Sequence, residues 1–213
     1  GGMTKGVTNM DMTAAYAAIA NKGVYTKPIY YTKVLDSNGE VIIDNSQKET
    51  HKVLKETSAW LLTSGMESVI TSGTGTAARL SNQPVAGKTG TTQFNTDSWF
   101  CAFTPYYTAS IWTGYDDNSK TISVNHTRIW KDIMSQIHES LPTGTFEKPE
   151  DIVEVAVCSK SGKLPVEGLC DSDPRGSQII TEYFAADAVP TESCDTHVKV
   201  NICNVSGLVA SSG

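Results

Sequence analysis

The stretch Val85 to Phe100, VAGKTGTTQFNTDSWF, decides how this chain is read. Two chemistries use a Gly-Lys-Thr string. One wraps a nucleotide phosphate and needs a glycine five positions before Gly87, inside a loop that opens a helix. Asn82 stands there, Pro84 interrupts the loop, and a strand pattern runs on through the motif. The other chemistry grips a carboxylate beside an attacking serine. A strand serves it well: Thr89 and Thr91 lie two apart and share one face. Gly90 adds no side chain between them, so a substrate backbone can lie close. Lys88 adds a compact positive charge, and the N–H after the glycine can face a developing oxyanion. A bare Lys-Thr-Gly is more often an ordinary Thr-rich strand, so the surroundings must decide.

Working outward, Asn9–Lys22 reads as a helix. Thr8 and Asp11 form an acidic capping box, and Gly23 stops the helix. Two β-rich runs flank Asn38-Gly39, a hairpin signal. The spacing of Val53, Leu54, Trp60, Leu61, Met66, Val69 and Ile70 predicts a helix over 52–70. TSGTGTAARL, from Thr71, matches a GxGxxA dinucleotide pattern. It follows a helix and not a strand, so a turn opening a short helix is the better reading. Strands are predicted over 84–92, 98–103 and 108–114. A helix is predicted over 127–138, with Ile129, Trp130, Ile133, Met134 and Ile137 on one apolar face. Two prolines and a glycine in 141–149 mark a boundary, beyond which DIVEVAVC and SQIITEYF read as short strands.

The 213 residues carry a net charge of −6 and are 39% hydrophobic, enough for a packed core. The acidic balance and the lack of a Lys/Arg block argue against nucleic acid as a partner. No apolar run reaches the roughly 20 residues of a membrane helix. The start GGMTKGVTNMD suggests a piece cut from a longer protein. Four of the five cysteines, Cys158, Cys170, Cys194 and Cys203, fall in the last third. That clustering favours disulfides in a small appendage and an oxidising setting. The rival is zinc, since Cys194-Asp-Thr-His197 has ligand-like spacing. Cys101 reads as a buried thiol, Trp99 and Trp112 as core, Asp97 as a brace for the turn beside the Lys-Thr-Gly strand, and Asp116-Asp117 as a solvated turn. His51, His126 and His138 are scattered.

The segments GVTNMDMTAAYAAIANKGVY, TSGTGTAARL, VAGKTGTTQFNTDSWFCAFTP, ASIWTGYDD and SGKLP…TEYF…CDTH, in this order, carry a resemblance. The chain resembles the C-terminal part of a class A penicillin-binding protein of a Gram-positive bacterium. The resemblance implies an α/β fold of the α+β type, like the penicillin-binding and serine β-lactamase enzymes: an antiparallel sheet flanked by helices, here its later half, plus a small β-rich tail. It implies D,D-transpeptidase chemistry on peptidoglycan stem peptides ending in D-Ala-D-Ala, through an acyl-serine that β-lactam antibiotics also form. A carboxypeptidase or β-lactamase-like hydrolase and a non-catalytic penicillin sensor share the scaffold and stay open as alternatives. Carried over, Lys88 and Thr91 are catalytic: the first orients the proton relay, and the second offers its N–H to the oxyanion. Thr89, Gly90, Thr91 and Thr92 bind substrate. No cofactor and no metal ligand is implied.

The family's Ser-x-x-Lys and Ser-x-Asn motifs precede Lys-Thr-Gly. No lysine here has a serine three residues before it, and Ser123-Val124-Asn125 lies downstream, so the nucleophile is expected outside this chain. The expected partner is therefore the missing N-terminal half of the transpeptidase domain, and the chain alone is expected to be inactive. Residues 1–144 are assigned to that domain and 145–213 to a Cys-containing C-terminal extension. The family's location is the outer face of the plasma membrane, held by an N-terminal helix absent here.

Overall fold

The computed structural model describes residues 6–117, 119, 124–204, 206 and 208–209. It contains two compact units, Gly1–Pro149 and Glu150–Gly213. In the first, α1 spans Asn9–Ala20. Its capping box is complete: the Thr8 hydroxyl accepts from the Asp11 N–H, and the Asp11 carboxylate accepts from the Thr8 N–H. The helix stops where Gly23 takes φ +83°, its N–H donating to the Ala18 carbonyl. A side chain at Gly23 would collide with the Leu54 carbonyl, so the position needs glycine on both counts.

Two small antiparallel pairs follow. Strand β1 (Val24–Thr26) pairs with β4 (Thr50–Lys52), and the hairpin of β2 (Lys33–Leu35) and β3 (Val41–Asp44) lies between them in sequence. The hairpin turns through Gly39 at φ +86°, with the Asp36 carboxylate accepting the Asn38 and Glu40 N–H groups. Helix α2 spans Glu56–Ser72 and starts later than its periodicity predicts. Lys52 is held in β4 opposite Val24, and Lys55 is extended at ψ 146°.

The centre of this unit is a three-stranded antiparallel sheet in the order β5 (Ala86–Thr91), β6 (Asp97–Phe103), β7 (Thr108–Gly114). The pleat of β6 divides the core in two. Phe100 and Ala102 face a cluster with Ile70 and Leu80 and with Trp130 and Met134 of α3 (His126–Ile137). Phe103 faces Tyr16 and Ile19 of α1, Met66 of α2 and Phe146. Phe146 stacks edge-on to Phe103 at 5.6 Å, so this unit's core takes in a residue beyond 144. Trp130 is 1% exposed, packs edge-on to Phe100 at 5.5 Å and donates its indole N–H to the Ala109 carbonyl.

The apolar stripe of α3 is split. Trp130 and Met134 are buried, whereas Ile129, Ile133 and Ile137 are exposed. The sheet they flank is only three strands wide among the described residues, so one edge of the stripe packs and the other does not. His138 caps the helix from inside. Its Nδ1 lies 2.7 Å from the Met134 carbonyl, which can only accept, so Nδ1 carries the proton. Nε2 then accepts from the Thr104 hydroxyl at 2.8 Å.

Among its described residues the second unit has one two-stranded antiparallel sheet, β8 (Ile152–Cys158) with β9 (Ile179–Ala185), in the register Ile152↔Ala185 to Cys158↔Ile179. Its buried cluster consists of Cys158, Cys170 and Cys194, with Val166 and Ile179 against them. The expected disulfides are not formed among these three, whose thiols are separate. No described helix is long and apolar enough to cross a membrane.

Candidate active-site cleft

Strand β5 carries the Lys-Thr-Gly run and lies at the edge of its sheet among the described residues. Edge position follows from packing on the inner side. A side chain at Gly87 would meet the Ala102 methyl, so β5 sits tightly on β6 there. The outer edge is left open. The Thr92 N–H donates to the Asp97 carbonyl across β6 at 3.1 Å. Successive N–H groups of a strand alternate in direction, so the Thr91 N–H points away from β6, off the open edge.

A cleft of about 660 Å³ borders this strand. Lys88, Thr89, Gly90, Thr91 and Thr92 all line it. Its far wall comes from the start of α1, including Asn9, Met12 and Tyr16. Asn9 and Thr13 hydrogen-bond to Ser110 of β7, which ties α1 to the sheet beside the cleft. The capping box therefore has a consequence at the site: it sets where the wall begins.

The structure brings the four residues of the motif together and gives each a setting. Lys88 is exposed, and its Nζ rests 2.9 Å from the Thr89 carbonyl. Thr89 meets a residue that sequence reading passed over: its hydroxyl lies 2.7 Å from that of Thr74, in the Gly-Thr turn after α2. The glycines of that turn mark the chain reversal, and the threonine between them, Thr74, is the residue that reaches the strand. Gly90 keeps 3.4 Å between an imagined Cβ and Trp99, an ordinary contact, so the protein itself does not demand glycine there. Thr91 is exposed at the lip. Ser123 of the downstream Ser-Val-Asn run lies outside the described residues.

Asp97 braces the turn that follows β5. Its carboxylate accepts the Trp112 indole N–H at 2.8 Å and the Thr92 and Thr96 hydroxyls at 3.0 and 3.1 Å. These donors, the indole foremost, hold its pKa below the usual carboxylate range. Trp112, read as core, is instead 37% exposed and lines the cleft with Trp99. Helix α1 covers this face of β7 at Ser110 and leaves Trp112 partly open, its indole N–H held by Asp97. Cys101 borders the cleft from within at 2% exposure, and burial pushes its thiol up to about 11. It is a small apolar group here, not a nucleophile at neutral pH.

Known proteins resemble this chain in sequence and fold. Residues 1–135 match the family model of the penicillin-binding protein transpeptidase domain. Residues 148–199 match that of the penicillin-binding protein 1A C-terminal domain. Penicillin-binding protein 1A of Clostridium botulinum strain Langeland is 39% identical over 216 residues, which take in 99% of this chain and 26% of the relative. The chain thus spans about a quarter of the length of the curated relatives it matches. Penicillin-binding protein 1A from Haemophilus influenzae superposes over 88% of this chain and 33% of its own, with a TM-score of 0.68; at 21% identity that likeness concerns the fold. The PonA1 protein of Mycobacterium tuberculosis in complex with penicillin V is 29% identical, covering 66% of this chain and 41% of its own with a TM-score of 0.58.

Proposed function

The chain belongs to the class A penicillin-binding proteins, and on that premise we propose that it is the later half of a serine D,D-transpeptidase domain followed by a C-terminal extension. The observation that carries this reading is the open edge of β5, with Lys88 to Thr92 along one cleft and the Thr91 N–H directed off the sheet. An extended stem peptide ending in D-Ala-D-Ala adds to such an edge as a further strand. Its terminal carboxylate is received by the Thr89 and Thr91 hydroxyls, with Gly90 and Thr92 lining its path. A serine from the upstream half attacks the penultimate carbonyl and the Thr91 N–H donates to the oxyanion that forms; its collapse breaks the D-Ala–D-Ala amide and releases the terminal D-Ala, whose nitrogen takes up the proton that left the serine. The Lys88 ammonium supplies positive charge beside the reacting centre and orients the proton leaving the serine. The acyl-serine is then passed to the amine of a neighbouring stem peptide, which closes a cross-link. A β-lactam enters the same cleft and leaves the serine acylated.

The reading implies an extracytoplasmic, membrane-anchored protein. The test is labelling of the complete protein with a fluorescent penicillin. Wild type should label at one serine upstream of this chain. Lys88→Ala should label about 10²–10³ times more slowly with an unchanged melting temperature. A complete protein that does not label, or a folded Lys88→Ala variant that labels at the wild-type rate, would overturn the assignment.

A further inference from the structure

We propose that Cys158, Cys170, Cys194 and His197 form a structural zinc site that holds the C-terminal unit together. Their donor atoms all lie within 4.8 Å of one another. His197 Nδ1 is 3.4 Å from both the Cys158 and the Cys194 sulfurs. Tetrahedral zinc, with bonds of about 2.3 Å to sulfur and 2.0–2.1 Å to nitrogen, sets neighbouring ligands roughly 3.5–3.8 Å apart. The four groups are therefore arranged around a point, at close to the spacing such an ion imposes.

The imidazole is oriented for ligation. Its Nε2 lies 3.0 Å from the Asp173 carboxylate, whose side chain is 5% exposed and is itself clamped by Arg175. A carboxylate accepts, so Nε2 carries the proton and the Nδ1 lone pair faces the sulfurs. This is the carboxylate–histidine arrangement found behind metal-bound histidines. A disulfide accounts for less. Within the cluster it would join two of the three sulfurs and give the imidazole no reason to face them.

The backbone also serves the sulfurs. The Val166 N–H donates to Cys170 Sγ at 3.3 Å. The Cys194 N–H donates to the Leu164 carbonyl, and Lys163 bridges Glu192 and Asp195, so the 163–170 turn is tied to the segment bearing Cys194 and His197. Four protein ligands leave no open position, which makes the site structural and not catalytic. Need agrees with geometry. A unit whose described residues form one two-stranded sheet, and which buries only Ile152, Val157 and Ala185 beside its three cysteines, has little apolar core to hold itself.

The test uses the intact protein without a histidine tag and does not depend on transpeptidase activity. After dialysis, elemental analysis should find one zinc per chain. Cobalt replacing it should show the thiolate charge-transfer and intense visible bands of a tetrahedral site. Cys170→Ser and His197→Ala should each lower retained metal by at least about tenfold, and Asp173→Asn should weaken affinity about 10–100-fold at unchanged stoichiometry. His197→Cys should keep the metal, which separates lost ligation from lost folding. A metal-free protein whose tail amides are protected from exchange overturns the proposal. So does a disulfide between any two of Cys158, Cys170 and Cys194, mapped without reduction.

Discussion

The two units of this chain solve one problem in different ways. The first folds around apolar side chains delivered by a sheet and three helices, with Trp130, Phe100 and Phe103 essentially excluded from water. The second has two long strands and little to cover them. Ile180 and Tyr183 of β9 are exposed, and the three cysteines cluster as buried groups beside only Ile152, Val157 and Ala185 among its described residues. Apolar packing is spread over many residues, so losing one contact costs part of the stability. A ligand cluster concentrates it in four side chains, so losing the shared ion costs nearly all of it.

The sharpest test of that contrast is metal removal. Structural zinc in small domains contributes about 10–16 kcal/mol of apparent binding free energy, which is also folding free energy. A strong chelator should therefore abolish amide protection along β8 and β9 and leave β5 to β7 protected. Hydrogen exchange read by mass spectrometry reports both units in one sample. Loss of protection in both together, or in neither, would erase the distinction. Next in size is Trp130→Ala, which should cost about 3–5 kcal/mol in the first unit through a cavity beside Phe100 and the loss of the bond to Ala109. The β8–β9 pair should keep its protection. If it melts in step with the first unit, the two are not separate cooperative units.

A smaller effect distinguishes the cysteines themselves. Burial raises the Cys101 thiol to about 11, so at neutral pH it should resist alkylation in the folded protein for hours. Chelation should expose Cys158, Cys170 and Cys194 to the reagent without changing Cys101. Alkylation of Cys101 as fast as the tail thiols after chelation would show that the first unit had opened as well.

How far the sequence could be read follows the same division. The ends of α1 were legible because capping is local: Thr8, Asp11 and Gly23 act within a turn of their own backbone. The strands of the central sheet were legible from β-branched and aromatic runs, and the motif on β5 pointed to a cleft that the structure places along it. The β1–β4 pair was not legible. Each strand has three residues, the partners are separated by a whole hairpin, and Lys52-Val53-Leu54 fits the period of the following helix equally well. Trp112 reads as core and is not, and the single apolar face predicted for α3 is only half buried, because periodicity finds a face but not what covers it. In the tail, Cys194 and His197 are three apart and visible as a pair. The convergence of Cys158 and Cys170 on them depends on long-range pairing that no spacing rule encodes.

The last and smallest effect concerns Asp97, which is polar and local in a unit otherwise held by apolar packing. Its folded-state pKa is lowered, first by the Trp112 indole N–H and then by the Thr92 and Thr96 hydroxyls. The sign follows from that direction. A depressed carboxylate stabilises the fold at pH above its unfolded value of about 3.9, and the contribution is lost as the pH falls through the folded value. The group is partly exposed, so solvent screens it and the change in global stability should be slight. The local change should still be readable, because protonation weakens the acceptor for the indole. The Trp112 Nε1–H resonance should shift with a midpoint below the ordinary aspartate value in wild type. It should not titrate in Asp97→Asn, where the amide oxygen still accepts but carries no charge. That variant should bind penicillin almost normally at neutral pH, since with its oxygen on the indole its amide N–H groups can donate to the Thr92 and Thr96 hydroxyls, which then accept. A midpoint at or above the ordinary aspartate value would mean that the donors at Asp97 do not favour its anion. Trp112 would then be held beside the cleft by packing alone.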